Sequence, residues 1–389
     1  MPIKPALNMR SIDAMIIRGG SSKGVFLDIR DLPPAGPERD SIVLKVFGSP
    51  DKRQIDGLGG ADKLTSKVAV MGPPTRVDCD IDYLFGQVNQ ELPRIDWSSN
   101  CGNISAGAAL YGALKGAGHI EGNVAHLAIH QVNTGRRLRA KVPLLNEFPS
   151  VDGDFAIGGV PGTGARIDVD FGDFAGSALG GNVLPTGHPR DEFDVPGLGR
   201  IEASVVDAAN LHIFVRAKDV GMVLTDSISD MQADASLVLR LEAIRKTVSR
   251  DIGFITGENA DEELRVSMNP LIFAVNAPVD YLATNGERIG AGTYDLYSRS
   301  LARFAFSRAY PGSGAAGTSV AAGIPGTIVN EAAPGLRTDE DVYLVRIGHP
   351  GGTLEVAAQI EIGADGVRVH QALIGRTARL LMDGKAYIR

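Results

Sequence analysis

The chain has 389 residues, 44% hydrophobic and 22% charged, with a formal net charge of −7. That length suits two cores rather than one, and the acidic balance argues against a nucleic-acid binder, which needs clustered Lys and Arg. Two cysteines exclude a disulfide framework and any zinc or iron–sulfur site built from thiolates. No stretch is apolar for long enough to span a membrane and the opening residues lack a leader's apolar core, so a soluble, cytoplasmic protein is expected.

Segments with a period of two dominate the first half and read as half-buried strands. The first, 12–18, runs into Arg18-Gly19-Gly20-Ser21-Ser22-Lys23-Gly24. Glycines, two hydroxyls and flanking cations make a loop whose backbone can approach an anion. The alternative is an ordinary glycine turn leading to a strand at 24–29, since the spacing of a phosphate loop is absent. Apolar residues at 42, 43, 46 and 47 predict a helix over 38–48. In "LTSKVAV", Lys67 follows Thr65 and Ser66 and opens a strand at 67–71. A lysine set in an apolar wall loses proton affinity and can serve as a base; the alternative is a strand-end lysine in water.

In "RVDCDIDYLFGQV" (76–88), alternation puts Val77, Cys79, Ile81 and Tyr83 on the core face and Asp78, Asp80 and Asp82 on the other. Cys79 therefore reads as inert filling. Cys101, in "SSNCGNISAG", precedes Gly102-Asn103 where polar residues give way to small apolar ones, the start of a helix. Helix-end amides lower a thiol's pKa and attract carboxylates; the alternative is a small residue that merely caps the helix. Strands are expected at 124–132 and 165–174, and the basic run 135–139 reads as a solvated strand face. The Pro/Gly-rich stretch 180–199 divides the chain into expected domains 1–185 and 186–389.

The second half repeats the layout, with strands at 199–206, 211–217, 271–276, 342–347 and 352–362 and an amphipathic helix at 234–250. "YSRSLARFAFSRAYP" reads as helical. "GSGAAG" (312–317) satisfies the dinucleotide fingerprint, but that pattern counts only directly after a strand, so nicotinamide binding is rejected. A second small-residue helix is expected to open near Thr318, with the amides of Gly317 and Thr318 at its N-terminus. The seven histidines are scattered, and only His126 and His130 are four apart, on a strand. No metal cluster is expected, and His349 reads as the end of a strand.

The strings "IRGGSSKGVF", "GSPDKRQIDGLGGADKLTSKVA", "DYLFGQV", "DWSSNCGNISAG", "IPGT", "GHPGGTL" and "RTARLLMDG" run from about residue 15 to 384 and closely resemble the PrpF family. That family includes 2-methylaconitate cis–trans isomerases, 4-oxalomesaconate tautomerases and 3-methylitaconate Δ-isomerases. The resemblance implies an α+β fold like diaminopimelate epimerase. In that fold two similar domains each wrap mixed sheet around a central helix, the site lies in the cleft between them, and the last segment can return to the first domain. It implies Lys67 and Cys101 as catalytic residues. Arg18, Ser21, Ser22, Lys23, Gln54, Ser66, Gly102, Asn103, Gly317 and Thr318 would bind substrate. One stretch departs: members carry histidines before the second helix, where this chain has "RAYPGSGAAGT".

The expected reaction is a cofactor-free allylic proton shift or cis–trans isomerisation of a small unsaturated di- or tricarboxylate. Expected partners are that anionic substrate and, at most, a second copy in a homodimer, with no nucleic acid, membrane, cofactor or metal. Two-thiol epimerisation is a poor rival, because no cysteine follows residue 101. A non-catalytic helper of an aconitase-like iron–sulfur dehydratase is the rival from another class, and it has no need of a desolvated base such as Lys67.

Overall fold

The computed structural model describes residues 9–98, 100–339, 342–364 and 366–389. Residues 1–8, part of the stretch read for a leader, lie outside them. The chain forms two compact units. The first holds residues 1–156, 162–168 and 376–389; the second holds 157–161 and 169–375. The division thus falls ahead of the Pro/Gly-rich stretch 180–199, and the C-terminal strand belongs with the first unit. Among the described residues no helix is long and apolar enough to cross a membrane.

In the first unit, strands β1 (Arg10–Gly19) and β2 (Ser22–Asp28) form a hairpin closed at Gly20-Ser21. Helix α1 (Pro37–Phe47) then carries the chain to β3 (Lys67–Gly72), parallel to β2, and β4 (Ile81–Val88) returns antiparallel. Helix α2 (Gly102–Leu114) crosses to the strand Val124–Gln131, parallel to β4, and Arg136–Leu145 pairs antiparallel with that. The C-terminal strand Ala378–Ile388 closes the far edge against β1.

Alternation along β3 decides which helix each residue meets. Val68 and Val70 join Val43, Val46 and Phe47 of α1 in one core cluster. Lys67, Ala69 and Met71 point the other way. Helix α2 is mostly Ala, Gly and Ser, is buried along nearly its whole length, and touches strands on several sides. Only small side chains let a helix be approached so closely from so many directions.

The second unit repeats this order of pairings. Gly199–Ala208 and Asn210–Arg216 form a hairpin; helix Ala235–Asp251 leads to Leu271–Asn276, parallel to Asn210–Arg216; and Leu296–Ala302 returns antiparallel. Helix Gly312–Gly323 leads to Val342–His349, parallel to Leu296–Ala302, and Gly352–Gly363 follows antiparallel.

Three sequence-based expectations need correction. The strand expected from 76 begins at Ile81, and Val77 is fully exposed, because Asp80 leaves the alternation to accept a hydrogen bond from the Ala128 amide. Asp82 is buried, held by His130 Nδ1 and by the amide and hydroxyl of Thr75. "YSRSLARFAFSRAYP" is not helical; it opens inside the strand Leu296–Ala302, buried on both faces.

Candidate active site

The β1–β2 turn is pressed onto the first turn of α2. A Cβ on Gly19 would lie 2.3 Å from the Asn103 carbonyl oxygen. One on Gly20, which has φ +51°, would lie 2.2 Å from Asn103 Oδ1. Glycine is required at both positions by close approach, and at Gly20 by conformation too. Asn103 Nδ2 donates to Ser21 Oγ at 3.1 Å and Ser22 Oγ at 3.4 Å. Its Oδ1 accepts from Arg376 Nε at 2.9 Å. Arg18, half-buried, donates through Nη1 to the Gly20 carbonyl and to the carbonyl and hydroxyl of Thr377, which ties the turn to the chain's last segment. Burial, with Arg379 nearby, lowers its pKa.

Cys101 occupies the N-cap of α2 in extended conformation, half-buried, and among the described residues no side chain caps the helix. The first amide bonded back along the chain is that of Ser105, to the Cys101 carbonyl at 2.8 Å. The amides of Gly102, Asn103 and Ile104 belong to the first turn, where helix geometry supplies no partner, so they can receive an anion. Arg376 lies within electrostatic reach of the Cys101 sulfur; burial brings this guanidinium down to about 10. Tyr83, also in reach of that sulfur, is fully buried, and burial drives its phenol well above its ordinary pKa.

Lys67 opens β3 and is only 7% exposed, so the strand-end lysine in water is not what the fold builds. Its Nζ donates to Gln87 Oε1 at 2.9 Å and lies 5.2 Å from the centre of the Phe85 ring. Gln87 is fixed in turn, because its Nε2 donates to the carbonyls of Lys63 and Ser66. Lys67 forms no ion pair among the described residues. Gln87, Phe85 and Tyr83 alternate along β4 on one face, with Gln87 opposite Lys67 and Tyr83 opposite Met71. This row runs from Lys67 toward the Cys101 sulfur. A Cβ on Gly24 would meet both the Lys67 carbonyl and Ile104 Cδ1 at 3.1 Å, which sets the base of β3 beside the first turn of α2.

Other expected site residues have different duties. Gln54, at φ +47°, accepts from the Ser66 hydroxyl at 2.6 Å and the Ala61 amide at 2.8 Å, and donates to Ser49 Oγ. Gln54 and Ser66 are thus buried in bonds that shape the loop delivering Lys67. Lys23 sits opposite Arg18 in the hairpin, its amide bonded to the Leu64 carbonyl. In the second unit the helix opens at Gly312, not near Thr318. The amides of Gly317 and Thr318 therefore lie in its second turn, inside the helical ladder, and do not form an open N-terminus. A Cβ on Gly317 would lie 2.3 Å from His212 Nδ1, and the Thr318 hydroxyl bonds that of Tyr310. The helix begins early because Pro311 precedes it in extended conformation and three glycines tolerate tight packing; Gly314 faces the Phe273 ring as Gly317 faces His212.

Gln87, Phe85, Tyr83, Arg376 and Thr377 join the site without having been singled out from sequence. Their signal lay in the strings "DYLFGQV" and "RTARLLMDG", where nothing local marks one residue above the rest.

The model of the family described as "PrpF protein" matches residues 9–389. The chain is 41% identical over 378 residues to a 3-methylitaconate isomerase of Eubacterium barkeri, an alignment spanning 97% of each chain. It is 37% identical over 385 residues to a 2-methyl-aconitate isomerase of Shewanella oneidensis, spanning 96% of each. The crystal structure of a methylitaconate-delta-isomerase superposes with a TM-score of 0.82 at 40% identity, covering 98% of this chain and 96% of that one.

Proposed function

The chain belongs to the PrpF family and is an isomerase, and we propose that it moves a proton along the allylic system of a small unsaturated di- or tricarboxylate. Acids of the 2-methylaconitate, 4-oxalomesaconate, methylitaconate and aconitate type share a C–H whose conjugate base is delocalised through a double bond into a carboxylate or keto group. Lys67, acting as the free amine, takes that proton. Gln87 aims its nitrogen, and the Phe85 face receives the ammonium that forms. A carboxylate base would repel a substrate already carrying two or three negative charges.

The observation that carries this reading is the uncapped first turn of α2 beside a buried lysine. Amides of Gly102, Asn103 and Ile104 would stabilise charge as it grows on the substrate's carboxylate oxygens, at no reorganisation cost. Arg376 and Asn103 would add donors, and Arg18, Ser21 and Ser22 hold the turn that shapes the floor. Cys101 either returns the proton at the far carbon or holds the substrate. Rotation about the bond weakened in the intermediate would give the cis–trans outcome. Neither thiol is in a disulfide, which suits a reducing cytoplasm, and sedimentation would reveal a homodimer.

The test is NMR of the four acids with the protein in heavy water. The native protein should exchange or isomerise at least one of them. Lys67→Ala should lose the activity with its melting temperature unchanged. Exchange at the native rate by Lys67→Ala, or none by the native protein with any of the acids, would overturn the reading.

A further inference from the structure

Outside this site, the hairpin after α2 brings together three side chains that the sequence scatters. The strand His119–Glu121 pairs antiparallel with the start of Val124–Gln131 across the turn Gly122-Asn123, where Gly122 takes φ +56°. In this register His119 stands directly opposite His126, and Glu121, two residues along, lies on the same face and diagonal to His126. The two imidazoles stack with centroids 5.1 Å apart, and His126 Nε2 lies 3.7 Å from Glu121 Oε2. One ligand atom from each residue falls within 4.8 Å of the other two. His119 and Glu121 are exposed and His126 half-buried, so small rotations of free side chains would close the set.

We propose that His119, Glu121 and His126 form a surface site for a divalent cation of the zinc class. Two imidazoles and a carboxylate suit zinc, nickel or copper, and disfavour magnesium and calcium, which take oxygen ligands. Three protein ligands leave a fourth position to water. The mechanical consequence is specific. Strand His119–Glu121 is three residues long and pairs with Val124–Gln131, and a bound ion clips its first residue to that neighbour. Lys141, exposed and opposite His126 on its other side, is the cation nearest in register and weakens the site without blocking it.

Calorimetric titration of the metal-free full-length protein with zinc chloride tests this. One ion should bind per chain. His119→Gln and His126→Ala should each weaken binding about tenfold or more, since loss of even an outer-shell partner costs that much. Cys101→Ser should bind as the native chain does, and turnover of His126→Ala should be unchanged. Zinc should raise the melting temperature of the native protein but not of His126→Ala. No binding by the native protein, binding unchanged in both histidine variants, or binding lost in Cys101→Ser would each overturn the proposal.

Discussion

His212 allows a pH prediction with a worked magnitude. It is fully buried against the rings of Phe214 and Phe273 and against Gly317, and neither ring nitrogen has a hydrogen-bond partner among the described residues. An imidazolium there would lose its hydration with nothing in return, so burial brings the pKa from 6.5 to about 3. Above pH 6.5 folded and unfolded chains both hold the ring neutral. As pH falls from 6.5 toward 3, the unfolded chain takes up a proton that the folded one refuses, and stability drops by roughly 1.36 kcal/mol per pH unit. At pH 5 this amounts to about 2 kcal/mol, all of it absent from His212→Leu. The assay is hydrogen exchange of peptides covering Asn210–Arg216, corrected for intrinsic rates, in both proteins at pH 7.5 and 5.0. Acidic groups elsewhere act alike in the two proteins and cancel. Equal losses of protection in both would show that His212 is not held neutral and would refute the reasoning.

Gly317→Ala should cost about 1–3 kcal/mol by overpacking against His212 and the Ala208 carbonyl, while turnover per folded molecule is kept; native melting with lost turnover would instead make Gly317 a binding residue. Gln87→Leu removes the acceptor that aims Lys67 and should cut kcat about 100-fold with KM little changed, so an unchanged kcat would argue that Lys67 needs no aiming. Cys79→Ala should keep native turnover. Because burial first, and Asp78 second, push the Cys79 thiol up to about 11, peptide mapping after iodoacetamide treatment at pH 8 should find it unmodified.

Strands were legible in the sequence where residues alternate or run apolar almost without a break, as in Leu271–Asn276. Leu296–Ala302 was not, because all seven residues are buried and alternation disappears. Its Arg299 looks like a solvent-facing helical residue but packs against the rings of Tyr281 and Tyr297, its guanidinium carbon 4.6 and 3.9 Å from their centres. Asp82 misled for a similar reason, since a buried carboxylate with a histidine partner alternates like an exposed one. Within the site, Lys67 and Cys101 stood out by type and neighbours. Gln87 and Arg376 could not: they reach their partners 20 and 273 residues away only through strand pairing and the return of the C-terminus.

The repeated order of pairings explains why the proposed chemistry falls to one unit. The third residue of β2, Gly24, pairs with Lys67; the third residue of Asn210–Arg216, His212, pairs with Leu271. The N-cap of α2 is Cys101 and that of Gly312–Gly323 is Pro311. At both positions that carry the proposed chemistry, the second unit is therefore inert. The packing contacts persist with the residue types exchanged. In one unit Asn103, second in its helix, donates to Ser22; in the other Asn210, at Ser22's place in the hairpin, donates to Ser313, second in its helix. Space is traded likewise: Gly24 on the strand faces Ile104 on the helix, whereas His212 on the strand faces Gly317 on the helix. Holding a hairpin against a small-residue helix is a requirement of the architecture and is met twice. A buried amine and a thiol at a helix end are costly to fold around, and each is built once, in the unit whose turn is closed by Arg376 and Thr377.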